Sequence, residues 1–74
     1  MPGAVESEEE EPTTTTVVLV TGVRYEIDGA PAKVEAIIVA ASRGSILQLA
    51  WMTETGSGRT IGINPQHVVA LEPA

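Results

Sequence analysis

Apolar and polar positions alternate with a period of two along much of this chain, the signature of half-buried strands. Residues 13–21 open with four threonines, Thr13 to Thr16, and continue as Val17-Val18-Leu19-Val20-Thr21. Such β-branched residues lose side-chain freedom in helices and suit a pleated sheet. Gly22 interrupts the run. Val23, Tyr25 and Ile27 then alternate with Arg24, Glu26 and Asp28 as a second strand, and Asp28-Gly29-Ala30-Pro31 signals a turn. Residues 46–53 read as a further strand, with Ile46, Gln48, Ala50 and Met52 on one face and Leu47, Leu49 and Trp51 on the other. Glu54-Thr55-Gly56-Ser57-Gly58 forms its hairpin loop, with glycines where positive φ is needed. Residues 59–63 return as the partner strand, and Gly62 between Ile61 and Ile63 allows close backbone approach. Asn64-Pro65-Gln66-His67 fits one tight or 3₁₀ turn, capped by Asn64 with Pro65 in first position. Val68-Val69-Ala70-Leu71 closes the set as a short strand ended by Glu72-Pro73.

Residues 33–43 admit two readings. Val34, Ile37, Ile38 and Ala41 fall at i, i+3, i+4 and i+7, a helical face, with Pro31 in the first turn and Gly44 past the end. The three consecutive β-branched residues Ile37, Ile38 and Val39 favour instead a strand buried on both faces. The strand reading makes the domain an all-β small barrel of five or six strands with one 3₁₀ turn. The helix reading makes it α+β, with a helix at about 31–43 packed on an antiparallel sheet.

Charge divides the chain in two. The formal net charge is −6, but Glu6, Glu8, Glu9, Glu10 and Glu11 all precede Pro12. From Thr13 onward five acids (Glu26, Asp28, Glu35, Glu54, Glu72) face four bases (Arg24, Lys33, Arg43, Arg59), leaving the rest at −1. Residues 1–12 therefore read as a disordered, solubilising acidic tail, since like charges repel and little apolar surface is present to offset the entropy of ordering. Residues 13–74 read as one domain. With 74 residues and no cysteine, the chain has a small core and no disulfide to reinforce it. One histidine, His67, is too few for a structural zinc site. Contact with another chain is the remaining support for so small a fold. No basic-then-apolar leader follows Met1, and the apolar stretch 36–41 is far below the roughly 20 residues of a membrane-spanning helix. A cytoplasmic protein is the expectation.

Over about residues 46–72 the order of features resembles a Src-homology-3-like barrel. A strand is followed by the glycine-bearing loop Glu54-Thr55-Gly56-Ser57-Gly58, then by a strand ending Gly62-Ile63-Asn64-Pro65, a one-turn segment and the closing strand Val68-Val69-Ala70-Leu71. The resemblance implies a small closed barrel. Signalling members of that family bind Pro-x-x-Pro peptides in aromatic grooves. Here the family's tryptophan and closing-turn tyrosine positions hold Ile46 or its neighbours and Val68, and only Trp51 and Tyr25 are aromatic. That departure removes the basis for proline-peptide recognition. The stretch 59–64 is also superficially similar to carbon-storage-regulator RNA binders, and the closing strand resembles that of Sm-like proteins. Both families imply RNA binding through basic residues, of which this chain supplies four.

No catalytic constellation emerges. His67 lacks a nucleophile at suitable spacing, Gly56-Ser57-Gly58 is too short for a phosphate loop, and no two carboxylates are placed by spacing to converge. The expectation is a non-catalytic protein-interaction module without cofactor, metal or small-molecule ligand, binding a protein or its own copy. Trp51, Tyr25, Arg59 and His67 are the candidate contact residues. The alternative, an Sm-like or related barrel binding RNA or DNA, needs Arg24, Lys33, Arg43 and Arg59 on one face.

Overall fold

The computed structural model describes residues 13–44 and 48–73, so the acidic tail expected at 1–12 lies outside the described residues. Strand β1 (Thr14–Leu19) pairs antiparallel with β2 (Arg24–Asp28) on one side and with β5 (Val68–Pro73) on the other. The hairpin β3 (Ala50–Thr53) and β4 (Thr60–Ile63) forms a second, two-stranded sheet. One antiparallel bridge, Ile27 to Glu54, joins the sheets, and the Thr55 amide donates to the Glu26 carbonyl at 2.8 Å beside it. The strands thus follow the order β5-β1-β2 and then β3-β4, with no pairing between β4 and β5. The expected closed barrel is not formed.

The all-β reading is corrected by α1 (Pro31–Ser42), which occupies the segment expected as a doubly buried strand. Pro31 stands in the first turn, where its missing amide costs nothing, and the Lys33 and Val34 amides both donate to the Ala30 carbonyl at 3.0 Å. Val34 is fully buried, and Ile37, Ile38 and Ala41 pack against the same core. The i, i+3, i+4, i+7 face therefore prevails over local β-preference. A β-branched residue costs a helix well under about 1 kcal/mol, whereas burying one large aliphatic side chain yields roughly 1.5–3 kcal/mol. Ala32, Ala36, Ala40 and Ala41 add strong helix formers to the same twelve residues.

The core comprises Val17, Ile27, Val34, Ala50, Met52 and Ile63, one or two from each of β1, β2, α1, β3 and β4. The strands supply it by alternation. Thr15 and Val17 point inward from β1, Ile27 from β2, and Ala50 and Met52 from β3. Thr15 is the one buried polar side chain among the described residues, and its hydroxyl donates to the Gly29 carbonyl at 2.8 Å, tying β1 to the turn that launches α1. Helix α1 packs mainly over β3, the 3₁₀ turn Pro65–His67, β5 and β1, so it touches both sheets.

Strand limits also differ from expectation. Strand β3 begins at Ala50, not at residue 46, and Ile46 and Leu47 lie outside the described residues. Val20 and Thr21 belong to the β1–β2 turn, where the Leu19 amide donates to the Val23 carbonyl at 2.9 Å. The 3₁₀ turn matches expectation. Asn64 Oδ1 accepts the Gln66 amide at 2.9 Å, and Pro65 holds the first position.

Replacing Val34 with alanine is expected to cost about 2 kcal/mol, from lost burial and a residual cavity. Urea denaturation should show a lower midpoint at unchanged slope.

Candidate interaction surface

The alternation that sends Ala50 and Met52 inward sends Trp51 and Thr53 outward. On β4 it leaves Gly62 directly opposite Trp51. Trp51 is 60 % exposed and Leu49 39 %. Both lie over the bare Gly62 backbone, where an added Cβ would stand 3.0 Å from Leu49 Cδ1 and 3.0 Å from the Trp51 ring. Glycine is favoured at this position by close approach and not by its φ. The result is an apolar platform of indole and leucine on the outer face of the hairpin.

The loop beyond the platform is fixed by one carboxylate. Glu54 Oε1 accepts the Ser57 hydroxyl at 2.7 Å and the Arg59 guanidinium through Nε at 3.1 Å and Nη2 at 2.9 Å. Ser57 Oγ in turn accepts the Arg59 amide at 3.1 Å. Gly56 and Gly58 adopt positive φ, as the tight return demands. The Ser57 hydrogen bond first, then those from Arg59, hold the Glu54 carboxyl below its ordinary pKa. A further bond, Thr55 Oγ1 to Asp28 Oδ1 at 2.6 Å, pins the loop to the end of β2.

The four candidate contact residues do not form one patch. Trp51 is on the platform. Arg59 stands at the loop end of the hairpin and spends two donors on Glu54. His67 is exposed in the 3₁₀ turn, beyond the other end of β4, where its carbonyl accepts the Val20 amide at 2.7 Å. Tyr25 is half-buried and packs against the core beside its pairing partner Val17. Leu49 and Gly62 complete the platform instead. Their signal in the sequence was Leu49's shared face with Trp51 and a glycine inside the facing strand. Spacing pointed to no second carboxylate for Glu54; its partners are Ser57 at i+3 and Arg59 at i+5, which a five-residue loop brings back to it.

The bases are dispersed. Arg24 is ion-paired with Glu72 across β1 on the outer face of the three-stranded sheet. Lys33 and Arg43 lie ten residues apart along α1, about 15 Å of helix rise. Among the described residues, no three His, Cys, Asp or Glu side chains gather as a metal site, and no helix is long and apolar enough to cross a membrane. No protein-family model, curated protein or solved structure matches the chain.

Two outcomes are expected. Gly62→Ala should lift the indole off β4 and red-shift Trp51 emission, while stability changes by about 1 kcal/mol or less because the displaced side chains are exposed. For Glu54, a depressed carboxyl stabilises the fold above its unfolded pKa, and that contribution is lost as pH falls through the lower folded value. Acid titration of stability should therefore be shallower in Glu54→Gln than in the unaltered chain across the carboxylate range.

Proposed function

We propose that this chain is a non-catalytic protein-interaction module that uses the outer face of the β3–β4 hairpin. One observation carries the reading: a tryptophan 60 % exposed, its ring edge close over a glycine backbone with Leu49 beside it. Indole buried at an interface is a frequent energetic anchor, and a preset ring has little rotamer freedom left to lose on binding. The Glu54–Ser57–Arg59 lock supports the same reading, because it stiffens the loop next to the platform.

Nucleic-acid binding through Arg24, Lys33, Arg43 and Arg59 is the weaker reading. Two of those bases are engaged by carboxylates, and the four are spread over β2, the two ends of α1 and the β3–β4 loop. For catalysis the support is weaker still. Among the described residues the His67 side chain makes no hydrogen bond or ion pair, whereas a general base needs an orienting partner. The Src-homology-3-like resemblance enters this reading only through the order strand, loop, strand, 3₁₀ turn, strand over β3 to β5.

Trp51→Ala tests the proposal, because its indole contributes little to the core. The variant should keep its circular dichroism spectrum yet lose about 2 kcal/mol or more of partner affinity, some thirtyfold, in paired affinity captures with the unaltered chain. Identical captured proteins at identical yield would contradict it.

A further inference from the structure

Among the described residues, strand β4 has hydrogen-bonded company on one side only. The register Ala50 with Ile63 and Met52 with Ile61, continued by the Glu54 amide to the Arg59 carbonyl at 2.8 Å, turns the Ile61 and Ile63 backbone groups toward β3. Those of Thr60 and Gly62 point to the open edge. Both residues are exposed, and neither backbone has a partner among the described residues. The other open edge, β5, is defended differently. Its pairing with β1 is interrupted between Val18 and Leu19, which pushes Val69 out to 60 % exposure, and the strand ends in Pro73. A bulge and a proline are devices that keep a foreign strand away. Strand β4 has neither, and α1 does not pack chiefly against it.

We infer that β4 is a self-pairing edge, and that a second copy of this chain adds to it as an antiparallel strand about a twofold axis at Ile61. The inference rests on the hairpin being a contact surface but not on a foreign partner. The open edge fixes the register. Only residues whose backbone faces outward can exchange hydrogen bonds, so Thr60 pairs with the second copy's Gly62, and Gly62 with its Thr60. Ile61 then meets Ile61 of the second copy on the inner face, where Ile61 is half-buried in the single chain. On the outer face the β-branched Thr60 of the second copy lies beside bare Gly62, next to the Trp51 ring.

Charge permits the arrangement. Arg59 is the charged residue flanking β4, and in this register it faces the second copy's Ile63. The two Arg59 positions are then four residues apart along the joined strands, about 14 Å, beyond a Debye length at physiological salt. The body from Thr13 onward carries only −1. Area limits the strength. Two four-residue edges fall well below the roughly 800 Å² per partner of a stable complex, so the dimer is weak, with a dissociation constant of order 100 µM.

The test is sedimentation equilibrium of the full chain from about 10 µM to about 1 mM, with amide hydrogen exchange at both ends of that range. Expected are a monomer–dimer equilibrium and slowed exchange at Thr60 and Gly62 as concentration rises. Thr60→Lys, whose substituted side chain is exposed and whose outward amide serves no internal bond, should weaken association about tenfold or more. Val69→Lys on the bulged edge should leave it unchanged. A monomer throughout, or association with Thr60 and Gly62 still exchanging freely, would overturn the inference. Trp51-dependent capture of other proteins by a strictly monomeric chain would overturn the dimer while leaving the interaction-module reading in place.

Discussion

Burial of one face of α1 against the inner faces of two small sheets is the constraint on which the rest of this molecule depends. Neither sheet is self-sufficient. Two strands are marginal in water, and three strands this short bury little. Among the described residues they meet through one β-bridge and the hydrogen bonds around Thr55. Val34, Ile37, Ile38 and Ala41 supply a common apolar surface that both sheets contact. With that surface in place, strand alternation decides which side chains enter the core and which remain outside.

The exposed platform is a consequence of this division. Met52 and Ala50 must face the helix, so Trp51 between them must face water. Gly62 lets the indole approach the β4 backbone closely, and the Glu54 carboxylate fixes the loop beyond. The other consequence is that β4 has no strand partner on its far side among the described residues, because the chain turns through Asn64–His67 and spends β5 on β1 instead. Platform and open edge therefore belong to the same four residues of β4 and their neighbours in β3.

Much of this was legible in residue order. The β2 alternation, the glycine loop at 54–58, the Asn64-Pro65 cap and the closing strand all follow from local rules, because local geometry alone decides them. The segment 33–43 was not decided locally. Its triple β-branched run argues for a strand, while its alanines and its apolar 3.6-residue period argue for a helix, and only the shape of the space to be filled settles the contest. Barrel closure was illegible for the same reason, since whether β4 reaches β5 depends on the volume of the helix between the sheets. Trp51 could be named from sequence. Its seat on Gly62 could not, because it required the cross-strand register.

If α1 locks both sheets into one unit, amide hydrogen exchange at low concentration should show interior amides of α1, β1 and β3 opening with one common free energy, that of global unfolding. Helix amides that exchange orders of magnitude faster than those of β1 and β3 would show the sheets standing without α1, and would contradict the account.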